Sequence, residues 1–436
     1  MTLPRALQKQ LNGIKQICKI SFSSSFYQPG SMSFETKNYI IRFAVKMPWA
    51  LRNRIIGLCG AIPNHCKDYD IISLYDQNQI IKADVKDNIV SNNGNIVVGG
   101  NIIKCWVSGG YSLGGLKRTK GIHLNDCLSV TKEGLYFQDK LKIEFSPFER
   151  DNIFYIDFKE YLDGDKGYYA FRTASRLFVS ENLVDWDEIY NKKRGIKNSM
   201  LFTKREDEVI LIFIEYTPGT IRERHHIIEY SFSNKRISIA KEFFTYSEYL
   251  ENNSLDCCRH IHVIDRDPFT NDIYVGTGDN DIESAIWVSK DNGKSYNLLY
   301  RNGQLGRTLS FMFTEKSIFW TMDSHEPQFI VRYDRNSKET AYFPVVNGAL
   351  WHSFRIDFDG KSLYLIGSNS EGAHFDNNNR VYGITLEDDC PRVFELTRCK
   401  SWTQYDQLFP VYVRDNEVYL YDILGCSIMH GIVVRQ

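Results

Sequence analysis

RHIHVIDRDPFTNDIYVGTGDNDIESAIWVSKDNGKSYN, residues Arg259–Asn297, alternates short apolar runs with polar turns at a spacing that suits strands. The runs HVI, IYV and AIWV carry β-branched and aromatic residues. The segments between them are made of Asp, Asn, Gly, Ser and Pro, which supply turn dihedrals and local side-chain hydrogen bonds. His260 and His262 stand two apart, so on a strand both side chains share one face and Ile261 takes the other.

The theme continues outward. From about residue 68 the chain repeats strand, polar turn and strand, as in NIFYIDF, GYYAFRT, VILIFIEY, HHIIEYSF, LSFMFTEKSIFW, FIVRYDR, SFRIDFDGKSLYLIG and EVYLYDIL. Strands every ten residues or so, grouped in units of roughly 40 to 50, predict an all-β fold. It is a six- or seven-bladed β-propeller, seven favoured, with a short N-terminal helical extension. The parse places an extension at 1–36 and one propeller over 37–436. Its blades fall near 68–160 (two imperfect units), 167–195, 197–248, 258–303, 307–347 and 351–397. The last strands, through FPVYVRD and CSIMHGIVV, are expected to be completed by KNYIIRFAVKM at 37–47, so that no sheet edge is left open. PWALRNRIIGLCGAIPN at 48–64 is expected to form an inserted helix.

Two turns carry a more specific signature. SKDNGKSY, Ser289–Tyr296, matches Ser-x-Asp-x-Gly-x-Ser/Thr-aromatic, in which Asp291 accepts backbone N–H groups, Gly293 supplies a positive φ and Tyr296 packs beside the hairpin. LFVSENLVDWDEIY, Leu177–Tyr190, is a degenerate version using Ser180, Asn182 and Trp186. With RHIH, IYVGTGD, AIWVSKDNG and FTEKSIFWTMDS, these turns resemble the Asp-box (BNR-repeat), sialidase-like propellers of bacterial surface-polysaccharide gene clusters. The resemblance is good from Cys258 to Arg335 and thin elsewhere. It implies a propeller and a carbohydrate setting. FRTAS at Phe171 and FRID at Phe354 lack the proline of the sialidase Arg-Ile-Pro, which argues against sialidase chemistry. A second resemblance, in architecture alone, is to propeller polysaccharide lyases that bind uronates at an axial His-and-Gln metal site.

Candidate site residues follow from both lines of argument. His260, His262, Asp279 and His325 are the candidate catalytic groups. Arg259, Gln304, Arg307, Asp323, Trp351, His352 and Arg355 are candidate substrate-binding groups, because guanidinium groups grip planar anions and an indole ring stacks on a sugar. His260, His262, Gln304 and His352 are candidate ligands of a divalent metal such as Mn, Ca or Zn. For Asp279, Asp281 and Glu283 the alternative is that GTGDND is a turn capping its own backbone.

Composition bounds the partners. The chain has 436 residues, 53 basic and 54 acidic, for a formal net charge of -1, which provides no field to favour nucleic acid. Ten cysteines without CxxC pairs, and an N-terminus lacking the apolar core of a secretory signal, point to reduced thiols and a cytoplasmic location. The basic N-terminus offers peripheral contact with the inner membrane. The expected function is action on a polysaccharide or glycan intermediate, anionic glycans included, by hydrolysis or β-elimination. The alternatives are a non-catalytic glycan- or protein-binding propeller and a glycosyltransferase on the same scaffold. Oligomeric state is not readable from the sequence.

Overall fold

The computed structural model describes residues 89–92, 95–98, 101–104, 106–107 and 111–435, leaving out 192–198, 217–222, 253–255, 324–327, 346–349, 359–360, 370–377, 401–406 and 423–426. The expected N-terminal extension, the strand at 37–47 and the helix at 48–64 lie outside the described residues.

Seven four-stranded antiparallel blades make up a β-propeller. Blade 1 runs from Gly121–His123 to Lys140–Glu144, blade 2 from Asp157–Asp163 to Asp187–Tyr190, and blade 3 from Met200–Arg205 to Arg236–Phe243. Blade 4 comprises His260–Arg266, Ile273–Gly278, Ala285–Ser289 and Asn297–Tyr300, and blade 5 runs from Thr308–Phe313 to Thr340–Val345. Blade 6 runs from Leu350–Phe358 to Cys390–Lys400. Blade 7 takes three strands from the C-terminal end, Gln407–Arg414, Glu417–Asp422 and Ser427–Arg435, and its outermost strand from Tyr111–Thr119.

That last strand corrects the expected closure, which assigned the role to 37–47. Tyr111–Thr119 pairs along Ser427–Arg435 from Ile428↔Thr119 to Arg435↔Tyr111, and so joins the two ends of the ring as the outermost strand of blade 7. Its sequence, YSLGGLKRT, is poor in β-branched residues, so propensity did not mark it; register with the C-terminal strand did. The stretch 68–160 accordingly yields a single described blade, and blade 2 starts at Asp157 rather than 167. Blades 6 and 7 also share a sheet, through Ser368↔Leu408 and Asn369↔Gln407.

The core is a ring of apolar clusters at the blade interfaces. Ile212, Phe243, Ile264 and Trp287 fill the gap between blades 3 and 4; Val263, Phe311 and Trp320 fill that between 4 and 5. Strand alternation produces this, since each blade must bury both faces against its neighbours. In the Ser289–Tyr296 turn, between the two outer strands of blade 4, Asp291 Oδ1 accepts from Ser289 Oγ at 2.7 Å and from the Ser295 N–H at 2.9 Å. Gly293 adopts φ 88° there, and Tyr296 is buried. In blade 2, Ser180 and Asn182 close the corresponding turn, and the Trp186 indole donates to the Leu183 carbonyl at 3.0 Å. Cys127, Cys257, Cys258 and Cys390 form no disulfide among the described residues. Among the described residues, no helix is long and apolar enough to cross a membrane.

Candidate functional site

One propeller face gathers the starts of the inner strands and the ends of the second strands. On it, the second strands of blades 2 to 5 end in Arg172, Glu215, Asp279 and Asp323, each directly after an apolar run. This repetition builds a belt of charge around the face.

Asp279 is the centre of the belt. His260 Nε2 lies 3.0 Å from its Oδ2 and His262 Nε2 lies 3.3 Å from its Oδ1; Arg307 Nη2 and Arg259 Nη1 stand at 3.2 and 3.4 Å. Burial would raise the Asp279 carboxyl, but Arg307 and the two imidazoles outweigh it and hold the group well below the usual carboxylate range. Asp279 therefore stays ionised and orients its neighbours. Gly278 makes this packing possible: a Cβ there would come within 2.6 Å of His262 Cε1 and 3.0 Å of Arg307 Cγ.

His260 and His262 both reach Asp279, but the register of their strand shifts between Ile261 and Val263, so the expected period of two does not by itself place them, and they differ in their partners. The His262 Nδ1 donates to the Thr308 carbonyl at 3.2 Å. His260 is 3% exposed, its ring lies against Tyr216 with centroids 4.6 Å apart, and among the described residues its Nδ1 has no hydrogen-bond partner. Because a carboxylate only accepts, Nε2 carries the hydrogen and Nδ1 the lone pair of the neutral ring. Burial lowers the His260 pKa, outweighing the opposing pull of Asp279, and so favours that neutral form.

Arg307 joins blade 4 to its neighbours. Its Nη2 also reaches Asp323 Oδ2 at 3.0 Å, and the Trp351 indole donates to Asp323 Oδ1 at 3.1 Å. His262, Asp279 and Asp323 thus bring three potential ligand atoms within 4.8 Å of one another, a donor set that suits a divalent ion. Arg307, however, bridges the two carboxylates and supplies permanent positive charge where the ion would sit. The donor set and Arg307 do not fit a metal together in this arrangement.

The remaining expected residues are dispersed. Gln304 braces the turn, donating through Nε2 to the Asp279 carbonyl and to Asp281 Oδ1, both at 2.9 Å. It faces Asp281 rather than the imidazoles, which separates it from the expected metal set. Glu283 closes the same turn by accepting from the Asn280 backbone at 3.2 Å, so DNDIE largely caps itself. Arg355 lies five residues into the inner strand of blade 6, about 16 Å along an extended chain from its first residue, and binds Asp357 at 3.1 Å. It is not part of the cluster. His325 lies outside the described residues, and of His352 only the backbone on the inner strand of blade 6 is described.

The belt also includes groups that sequence reasoning left aside. Arg172 is buried and donates to the Ile214 carbonyl at 2.8 Å and to Ser199 Oγ at 3.3 Å; burial lowers its pKa to about 10. Glu215 binds the Tyr190 hydroxyl and the His226 N–H, with His226 Nδ1 at 2.7 Å. The available signal was a charged residue ending the apolar run of each second strand: FRT, IEY, GDN and MDS.

No known protein-family model matches the chain, and no curated protein matches it. Solved structures do. The chain is similar to a luciferin-regenerating enzyme at 11% identity, covering 63% of this chain and 90% of that one with a TM-score of 0.39. It is similar to an auxiliary nutrient binding protein from Bacteroides thetaiotaomicron at 8% identity, with coverage of 61% and 66% and a TM-score of 0.37. An oligogalacturonate lyase in complex with manganese matches at 10% identity, with coverage of 63% and 76% and a TM-score of 0.36. Likenesses this distant do not bear on what the chain does.

Proposed function

We propose that this protein is a carbohydrate-active propeller that cleaves an anionic, uronate-containing glycan by β-elimination, with His260 as the base. The observation that carries the reading is the geometry of His260, whose Nε2 lies 3.0 Å from Asp279 Oδ2 and whose Nδ1 has no hydrogen-bond partner among the described residues. That nitrogen is buried beside Tyr216, so the substrate reaches it by displacing the tyrosine, and it then takes a proton from the carbon beside the uronate carboxylate. A carbon–carbon double bond forms, the bond to the leaving oxygen breaks, and that oxygen takes the proton back from the imidazolium. Asp279 fixes the ring and stabilises its charged form, while Arg259 and Arg307 favour the negative charge that develops on the substrate.

Hydrolysis by paired carboxyls is less well supported. It needs one protonated carboxyl as acid. Asp279 is held ionised, and Asp323 is taken up by Arg307 and Trp351. One observation favours a second, non-catalytic reading: Arg307 and Trp351 make the cluster a latch tying blades 4, 5 and 6, as a binding scaffold requires.

The test is incubation of the full chain with polygalacturonate, alginate and glucuronate-containing polymers, following the ultraviolet absorbance of unsaturated uronate and the release of reducing ends. Elimination raises both signals together. Reducing ends without absorbance would replace the lyase by a hydrolase, and neither signal on any polymer would leave the binding scaffold.

A further inference from the structure

A second feature lies away from the Asp279 cluster. A cavity of about 490 Å³ runs along the inner strand of blade 3, Met200–Arg205, between the inner strands of blades 2 and 4. It reaches Asn271, in the turn after His260–Arg266, and Asn292, in the Ser289–Tyr296 turn, both at the end of blade 4 remote from His260. The volume is within the range of small-molecule sites and matches a ligand of one or two sugar rings.

We propose that this cavity is a binding site for a short, neutral carbohydrate. The wall has the components such a ligand needs. Tyr161 and Phe202 stack with centroids 5.9 Å apart and present aromatic surface to the apolar face of a pyranose. Beside them, Arg266 Nη1 donates to Asn271 Oδ1 at 2.8 Å and Asn271 Nδ2 to Asn292 Oδ1 at 3.5 Å, so this linked row presents its remaining amide N–H groups, the Asn292 amide first, next to the Asp265 carboxyl. Vicinal hydroxyls, which donate and accept at close spacing, match that mixture.

Asp265 is the sharpest indicator. Among the described residues its carboxylate takes one hydrogen bond, from the Arg266 backbone N–H at 2.8 Å, leaving acceptor capacity at the cavity wall. Burial pushes its pKa up to about 6; Lys159 and Arg355 offset only part of the rise and Asp267 adds to it. An ionised Asp265 thus lacks donors, and hydroxyl groups supply them.

Charge balance selects a neutral ligand. Of the charged wall residues, Lys204 is occupied by Asp163, whose two oxygens lie at 2.8 Å from its Nζ. Lys159 lies 3.5 Å from Asp157, so Arg266 alone opposes Glu160 and Asp265, and no positive charge is left over for an anionic ligand. The Asn292 backbone has φ 57° within the turn, and its carbonyl accepts from Arg205 Nε at 2.9 Å. That turn, which builds the blade hairpin, therefore also presents a side chain to a ligand.

Isothermal titration and saturation-transfer NMR on the full chain, with cellobiose, maltose, lactose and chitobiose as probes and digalacturonate as the charged comparator, test the proposal. At least one neutral disaccharide is expected to bind, and Tyr161→Ala, Asp265→Asn and Asn292→Gly are each expected to weaken it by about tenfold, the scale of one lost contact. His260→Gln is expected to leave the Kd unchanged. Asn292→Gly suits the positive φ and Asp265→Asn is isosteric, so these two keep the test interpretable if Tyr161→Ala misfolds. Binding of none of the four disaccharides, binding of digalacturonate alone, or binding lost in His260→Gln but kept in the cavity variants would each overturn the assignment. The last two outcomes would move the sugar to the Asp279 face and leave the proposed elimination standing.

Discussion

Glu149 and Asp279 are both buried carboxylates held by arginine, and they do different work. Glu149 sits in a one-turn helix, Pro147–Asp151, capped by Ser146, and is 1% exposed. Its oxygens accept from the Ser146 N–H at 2.9 Å, from Ser175 Oγ at 2.7 Å, from Arg176 Nε at 3.0 Å and Nη2 at 2.6 Å, and from Thr173 Oγ1. Every neighbour is spent on the carboxylate, which describes a latch between blades 1 and 2. At Asp279 the neighbour His260 keeps a nitrogen in reserve. A buried charge network becomes a candidate for chemistry when one of its members has capacity left over; burial and a shifted pKa alone do not distinguish the two.

The contrast can be broken most forcefully at His260. His260→Gln is expected to lower elimination by 10²- to 10⁴-fold, the usual worth of a general base, with the melting curve little changed; an equal loss of stability would make the Asp279 cluster a second latch. Glu149→Ala should do the reverse. It leaves Arg176 with Glu188 alone, at 3.6 Å, strips Ser146, Thr173 and Ser175 of their acceptor, and should cost about 3 kcal/mol in urea unfolding, with turnover per folded molecule preserved.

The same latch has a pH signature. Burial would raise the Glu149 carboxyl, but its hydrogen bonds, led by that from Arg176, bring it to about 2. Its folded pKa thus lies below the unfolded value near 4.5, so the stability it contributes is present above 4.5 and is lost as pH falls toward 2. Acid titration of unfolding should show that loss in the wild type and not in Glu149→Ala.

Asp265 should behave oppositely and more weakly. Its folded pKa is raised from 3.8 to about 6, so stability is highest below 3.8 and falls as pH rises through 6. Asp265→Asn is expected to be more stable than wild type by about 1 kcal/mol at neutral pH and level with it in acid, because the half-buried group is partly screened. The smallest expected effect is that of a chelator. With Arg307 bridging Asp279 and Asp323, excess EDTA should leave turnover unchanged, and a chelator-sensitive activity restored by manganese would show that Arg307 gives way to an ion.

Blade 4 was legible nearly to the residue. The expected unit 258–303 corresponds to strands from His260 to Tyr300, because its turns are built from their own residues: Asp291 with Ser289 and Ser295, Glu283 with Asn280. That His260 and His262 reach one carboxylate was not decided by the period of two, because the register of their strand shifts between Ile261 and Val263. Arg355 looked equivalent to Arg307 in sequence and lies elsewhere, since its place depends on how far along an inner strand it falls. Tyr216 was overlooked because its neighbour His260 is remote in sequence and adjacent only across the blade 3–4 interface, and Glu215 because its partner Tyr190 comes from blade 2.

By itself the sequence determined the strand period, the turns and the repeating unit, all of which rest on interactions within a few residues. The tertiary structure decided the rest. It chose Tyr111–Thr119 to complete blade 7, set Arg307 between two carboxylates from different blades, and left His260 Nδ1 without a hydrogen-bond partner among the described residues. Each of these depends on side chains and strands brought together by ring closure, and closure is a long-range contact that no local pattern encodes.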